Sequence, residues 1–302
     1  KQEEKIVKKV EKKNISDAFV LPRKKPKTIR KTTASAKKSK FLSQKDFERA
    51  KIAFSQIKSG KVITGYKTSE KIKDKDFKLF VQWLYLMKSS NNATFSTYEN
   101  FIRNNLDFPR IGRLQYLAEQ KIYLKNSSPK NIIRWFDDFP PVSGTGKLKL
   151  GEAYFDLKDI NNSKELIKEG WINADLSKSQ LRFYRKKFKS ILDSEDHIKR
   201  ADYLAWNKKY WDLKRMLVYL PSDFKALYNA RQILMSNSYG VDNAISKVPQ
   251  YLKEDPGLEF DRLRWRNRRG RLDGSLEILY RNSLKTEKQM VRPDKWWDQR
   301  ES

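Results

Sequence analysis

Apolar residues in this chain recur at spacings of three and four, in many short runs broken by frequent stop signals, and no other feature limits the possible folds so strongly. Phe47, Ala50, Phe54 and Ile57 form one such set, and Phe77, Phe80, Val81 and Leu84 another. Ile111, Leu114, Ala118 and Ile122 repeat it, as do Leu181, Tyr184, Phe188 and Ile191. Each set places a single apolar stripe on one face of a helix. No sustained two-residue alternation exists from residue 41 onward, so no sheet is expected. Stops are expected at Asn91-Asn92, Pro109, Pro140-Pro141, Gly170, Pro221, Gly240 and Pro256-Gly257. Between them lie about a dozen helices of roughly 10–16 residues joined by short turns.

Start signals agree with this division. Ser128-Pro129 offers an N-cap followed by proline at the first helical position. Asp193-Ser194-Glu195-Asp196 and Pro221-Ser222-Asp223 put acidic residues where a helix N-terminus favours them. Short helices with one stripe pack as antiparallel pairs, and three such hairpins look alike. One runs Leu150 to Phe155, turns at Lys158-Asp159 and continues through Leu166-Ile167. The second runs Ala201 to Trp206, turns at Asn207-Lys208 and continues through Met216-Leu217. The third runs Asp261 to Trp265, turns at Arg269-Gly270 and continues through Ile278-Leu279. Their separations are unequal. The expected fold is therefore all-α, an irregular superhelix of antiparallel helical hairpins resembling tetratricopeptide-type repeats without their consensus.

The 302 residues carry a formal net charge of +29. Such a field attracts polyanions such as nucleic acid, anionic lipid or an acidic polymer. The richness in Lys, Asn, Ile and Ser is also the usage of an AT-rich genome, which spreads lysine over every solvated surface without a dedicated partner. Residues 1–40 form a separate block, basic, bearing Ser and Thr and poor in apolar side chains, as in Arg23-Lys24-Lys25-Pro26-Lys27 and Lys37-Lys38-Ser39-Lys40. This block is expected to be a disordered tail, either a linker or an electrostatic tether, ahead of a helical domain over 41–302. With no cysteine, neither a disulfide framework nor a thiolate metal site can form. No apolar stretch approaches the roughly 20 residues of a transmembrane helix. The chain begins at Lys1 without methionine, which suggests a processed piece whose export signal lies upstream.

Several segments resemble chemical motifs. Residues 262–271, Arg-Leu-Arg-Trp-Arg-Asn-Arg-Arg-Gly-Arg, interleave arginine with an aromatic and suit RNA or phosphate; they equally suit a hairpin that buries Leu263 and Trp265 with its arginines in water. Ser143-Gly144-Thr145-Gly146-Lys147 looks like a phosphate loop but lacks its spacing and its preceding strand. His197 has no nucleophile or second ligand at a telling distance and reads as a surface residue at a helix N-terminus. Asp137-Asp138 and Glu254-Asp255 could act on a glycoside only if a pocket raised one carboxyl, and both suit capping or solvation. Of the eight tryptophans, Trp135, Trp171, Trp206, Trp211 and Trp265 are expected in the core, and Trp296-Trp297 stack on sugars or dock a following domain.

Taken in order, certain stretches resemble the N-terminal helical domain of soluble lytic murein transglycosylases of the alphaproteobacterial type. They are Ala118-Glu119-Gln120, Trp135 through Pro141, Gly144 through Leu148, Leu192 through His197, Asp202 through Trp206 and Met216 through Pro221. Asp255-Pro256-Gly257-Leu258, Asp261 through Arg266 and Trp296-Trp297 complete the set. The similarity runs from Phe108-Pro109 to about Trp297 and more weakly over 41–107. It implies a periplasmic enzyme that cleaves peptidoglycan between N-acetylmuramic acid and N-acetylglucosamine, leaving a 1,6-anhydro end. In that family a ring-like superhelical domain precedes a lysozyme-like domain carrying the catalytic glutamate. This sequence ends before such a domain. Glu301-Ser302 echoes the catalytic Glu-Ser pair without its surroundings and is read as coincidence. No catalytic, cofactor-binding or metal-binding residue is therefore assigned, and no cofactor is expected. The implied partners are glycan strands and a catalytic domain of the parent chain, with no membrane span and no specific nucleic acid. A helical-repeat protein scaffold and a basic RNA-binding module are the alternatives.

Overall fold

A computed structural model describes residues 38–124, 127–236, 239–283 and 285–300, with Glu287 described by its backbone only. The tail expected over 1–40 and the Glu301-Ser302 echo thus lie almost entirely outside the described residues. Those described are all-α, with 17 α-helices, two short 3-10 turns and no strand. The helices outnumber the expected dozen and are shorter, because several expected helices divide at turns.

The described residues divide into two compact units, one up to Phe80 and the other from Val81 onward. In the first, α1 (Gln44–Lys58) and α2 (Val62–Ser69) form a hairpin. Ser43 caps α1 by accepting the Asp46 N–H. Asp46 is itself buried and accepts the Lys73 N–H at 3.2 Å. The hairpin closes tightly at Gly65, where an added Cβ would lie 2.9 Å from the Ala53 carbonyl oxygen. Phe54 meets Phe77 edge-on at 5.3 Å, at the start of α3 (Lys75–Leu86), yet remains 39% exposed, so the expected stripe of α1 is only partly covered.

In the second unit the stop at Asn91 works through its side chain. Its amide donates to the carbonyls of Leu86 and Lys88, while its oxygen accepts the Ala93 N–H. There follow α4 (Phe95–Asn104), α5 (Ile111–Glu119), α6 (Pro129–Asp138), α7 (Gly144–Asp156), α8 (Ile160–Asn173), α9 (Lys178–Lys187), α10 (Ser194–Trp206), α11 (Tyr210–Met216) and α12 (Ser222–Leu234). Then come α13 (Val241–Ser246), α14 (Pro256–Arg268), α15 (Leu272–Ser283), α16 (Glu287–Met290) and α17 (Pro293–Arg300). Within this unit α7, α10, α12 and α14 each pack on the helix that follows, and α5 meets α7, α8 meets α10, α10 meets α12 and α12 meets α14. Contact with the next helix and the next but one is the packing of stacked helical hairpins. The largest core runs from Leu148 through Trp171, Leu181, Tyr184, Phe188 and Leu204 to Leu258. A smaller one gathers Trp206, Phe260, Leu263, Ile278, Met290 and Trp296.

The three look-alike hairpins share one turn. Lys158, Lys208 and Gly270 adopt left-handed φ values of 67°, 57° and 66°. After each, the next N–H reaches back to close the helix: Asp159 to the Tyr154 carbonyl, Lys209 to Leu204 and Arg271 to Arg266, at 2.9–3.0 Å. Gly60, at φ 83°, does the same between α1 and α2, with Lys61 donating to Gln56. This is the Schellman closure, which satisfies carbonyls that a helix end would otherwise leave unpaired.

Three expected stops prove otherwise. Gly170 lies inside α8, which runs on to Asn173; glycine is needed because a Cβ would come within 2.5 Å of the Leu148 backbone nitrogen on α7. Gly240, at φ 87°, starts α13. Pro256 and Gly257 open α14 behind the cap Asp255. Among the tryptophans, Trp135, Trp171 and Trp206 are buried and Trp265 partly so, but Trp211 is 65% exposed. Trp296, grouped with Trp297 as a surface pair, is instead buried, donating its indole N–H to the Met290 carbonyl at 3.1 Å. Among the described residues no helix is long and apolar enough to cross a membrane.

Candidate functional site

The second unit is organised around a buried guanidinium. Arg231 sits on the apolar face of α12 among Leu227, Tyr228, Ala230 and Leu234, with no exposed surface. Its Nε donates to Asp261 at 2.9 Å and an Nη to Asp202 at 2.7 Å, and Asp255 lies 3.7 Å away. The planar group lies over Trp206 and Tyr228, 5.2 and 5.5 Å from the ring centroids. Gly257 makes room, since a Cβ there would stand 2.2 Å from the guanidinium carbon. Burial opposes the Arg231 charge, but the three aspartates outweigh it and hold its pKa above the ordinary value. Burial also raises the Asp255 carboxyl, against the pull of Arg231 and of the Leu258 N–H that it caps at 2.8 Å.

Asp202 and Asp255 reach from this cluster into a depression of about 480 Å³, which Tyr203, Trp206, Asn207 and Tyr228 also line. Their side chains keep 38% and 23% exposure while Asp261 keeps 2%. Tyr203 is shared with a second depression of about 240 Å³, whose wall includes Tyr116, Gln120, Asn173 and Asp175. Ile172 and Lys199 are shared with a third of about 480 Å³ lined by Lys164, Glu165, Lys168, Glu169 and Asp196. Through these shared wall residues the three depressions are neighbours beside α8 and α10, and together they make up the candidate groove. Carboxylates, amides and phenols face it beside aromatic side chains. Such a lining accepts and donates hydrogen bonds to many hydroxyls and offers flat apolar faces, the chemistry that suits a polyhydroxylated chain. Asp202 and Asp255 are both committed to Arg231, which suits holding a ligand better than shuttling its protons.

Segment 143–147 takes a different role from the phosphate loop it resembles. Ser143 caps α7 and accepts the Gly146 N–H. The place of an anion is filled from within: the buried Glu119 carboxylate accepts the Ser143 hydroxyl and, at 2.8 Å, the Val142 N–H. Gly146 is required by this approach, because a Cβ would stand 2.4 Å from the Glu119 carboxyl carbon. Burial raises the Glu119 pKa against these hydrogen bonds.

The arginines of 262–271 divide: Arg262, Arg264 and Arg266 are partly buried, while Arg268, Arg269 and Arg271 are exposed, as expected of a hairpin that turns its arginines to water. Arg264 approaches Asp261 at 3.5 Å, Arg266 donates to the Gly274 carbonyl, and Arg268 donates to the Leu234 carbonyl at 2.5 Å. Arg269 and Arg271 lie over the Trp265 ring. Asp138 pairs with Arg103 at 2.6 Å, apart from the groove. His197 is half-buried rather than a surface residue, 5.3 Å from the Trp171 ring and 6.4 Å from Tyr219. Burial and then the Arg185 charge push its pKa below the usual value. Among the described residues no cluster of His, Cys, Asp or Glu is arranged to hold a metal ion.

Arg231 itself had one sequence signal, a lone arginine on an otherwise apolar helix face. Asp202, the Asp255–Gly257 stretch and Asp261 come from three separate places in the sequence and meet around it; Glu119 and the 143–147 segment meet likewise. The chain matches no known family model, no curated protein and no solved structure.

Proposed function

We propose that this chain is the non-catalytic helical domain of a periplasmic lytic murein transglycosylase, and that it holds peptidoglycan glycan strands along the groove of α8 and α10. The observation that carries the reading is that the neighbouring depressions share Tyr203 as a wall residue and are lined by Asp202, Asp255, Asn207, Asn173 and Asp175. A depression of about 480 Å³ has room for a saccharide unit or two, and the adjoining depressions continue it for a polymer. The ordered resemblance supports the same reading, since its segments supply part of the groove wall, among it Gln120, Asp196, Asp202, Tyr203 and Asp255, and Asp261 beside Arg231. In this role the lysozyme-like domain of the parent performs the cleavage, and the helical part positions it and the strand.

The test is binding and turnover with purified sacculi and with GlcNAc–MurNAc oligosaccharides. The chain is expected to bind weakly and to release no anhydromuropeptide. At salt high enough to screen the net charge, Asp202→Asn with Tyr203→Ala should remove most of the binding while leaving the helical circular dichroism intact. Release of anhydromuropeptides by the chain alone, or high-salt binding indifferent to this double substitution, would overturn the proposal. A single stoichiometric protein partner without glycan affinity would favour a scaffold instead.

A further inference from the structure

A second pocket, lined by none of the groove residues, is built around a buried lysine. Lys149 lies on α7 with its side chain 8% exposed, facing a depression of about 220 Å³ between α7 and α9. Its nearest counter-charge is Glu152 Oε2 at 3.5 Å, too long for a strong hydrogen bond. Glu152 is instead held by better partners, the Tyr184 hydroxyl at 2.8 Å and the Lys187 ammonium at 2.8 Å. The Lys149 nitrogen lies 5.1 Å from the Tyr184 ring centroid, while Tyr123 and Phe183 give the pocket an apolar wall. Burial lowers the Lys149 pKa against the attraction of Glu152, so more of its amine is free than on a solvated lysine. A desolvated amine beside a carboxylate and an apolar pocket is the arrangement that activates lysine toward carbonyl carbon.

We propose that Lys149 is a carbonyl-binding site that forms an imine with a small apolar aldehyde or ketone seated against Tyr123 and Phe183. The ammonium gives one proton to Glu152, and the freed amine attacks the carbonyl carbon to form a carbinolamine. Glu152 returns the proton to the carbinolamine hydroxyl, which leaves as water, and the nitrogen is left as a protonated imine. Lysine ammonium and carbonyl thus become iminium and water, with no oxidant or reductant needed. Tyr184 and Lys187 are positioning residues that hold Glu152.

The experiment treats the full chain at neutral pH with benzaldehyde and cyanoborohydride, which reduces an imine to a stable secondary amine, and maps the adducts by peptide mass spectrometry. Lys149 should be labelled at least about tenfold more than exposed lysines such as Lys225, the selectivity expected of a desolvated amine over solvated ammonium groups. Glu152→Gln should slow labelling at Lys149 and leave Lys225 unchanged, and Lys149→Arg should remove the dominant adduct alone. Equal labelling of Lys149 and Lys225 in the unmodified chain overturns the proposal, and that comparison stands even if a substituted chain fails to fold. Glycan binding by the groove plays no part in the readout.

Discussion

At the level of single residues, Arg231 illustrates how a buried charge is kept only when its partners are all present. It has three aspartates within reach and two aromatic faces. Removing the charge strands the carboxylates, so Arg231→Met should destabilise the protein by about 3–5 kcal/mol at neutral pH, the usual cost of breaking a buried pair from one side. Denaturant titration checks this, and Arg231→Lys should fall between, because an ammonium restores charge without the planar fork. His197 is the opposite case, a base pressed toward neutrality by burial against Trp171 and by Arg185, with Asp193 and Asp196 pulling the other way. A base whose folded pKa lies below its unfolded pKa binds its proton better when unfolded. Its contribution is thus intact above about pH 6.5 and declines as pH falls below the unfolded value. Melting temperature followed from pH 7.5 down to 5 should fall more steeply for the unmodified chain than for His197→Gln. The sequence made Asp255 visible as a candidate carboxylate beside Glu254, and Asp202 and Asp261 as parts of two look-alike hairpins. Their meeting point was hidden because a lone arginine on an apolar stripe has no partner at any sequence spacing, its aspartates being supplied by α10, α14 and the cap before α14.

At the level of helices, the same turn recurs four times, twice with glycine and twice with lysine. Left-handed backbone costs an ordinary residue roughly 1–2 kcal/mol, while glycine adds about 0.5–1 kcal/mol of unfolded-chain entropy. Lys158→Gly and Lys208→Gly should therefore each stabilise the protein by about 0.5–1 kcal/mol, and Gly270→Ala should destabilise it by a similar amount; denaturation midpoints at constant m distinguish these outcomes. Helix periodicity was legible because one buried stripe per helix repeats at three and four residues, as in Leu181, Tyr184, Phe188 and Ile191, all buried. What misled was punctuation. Glycine ends helices when its freedom in φ is used, as at Gly270, but Gly170 is there for its missing side chain, which lets α8 lie against the α7 backbone. Those two uses look identical in sequence. Gly170→Ala gains about 1 kcal/mol of helix propensity yet forces α7 and α8 apart, so a net loss of about 1–3 kcal/mol is expected in the same titration. Trp211 was misplaced for a related reason: Tyr210 starts α11 after the turn at Lys208, and the new helix directs Trp211 outward, where Lys214 lies over its ring at 5.4 Å.

For the molecule as a whole, the proposed function gives a net charge of +29 and a polar-aromatic groove a common target, an anionic wall polymer, reached by different physics. The charge acts at a distance and without selectivity. Residues 1–40 concentrate it, with 15 lysines and arginines against 4 acidic residues, whereas the groove wall mixes both signs. Salt separates the two contributions, since the screening length shrinks from about 10 Å at 0.1 M to about 3 Å at 1 M, while hydrogen bonds and ring stacking within a groove persist. At low salt the chain should therefore be retained on heparin and on sacculi alike, with little sensitivity to Asp202→Asn and Tyr203→Ala. As salt rises, heparin retention should fall away along a steep logarithmic slope, as it does when a polyanion releases its counterions. The sacculus binding that survives should be the part the two substitutions abolish. If all sacculus binding vanishes with the heparin binding, charge alone brings this protein to its polymer and the groove serves some other ligand.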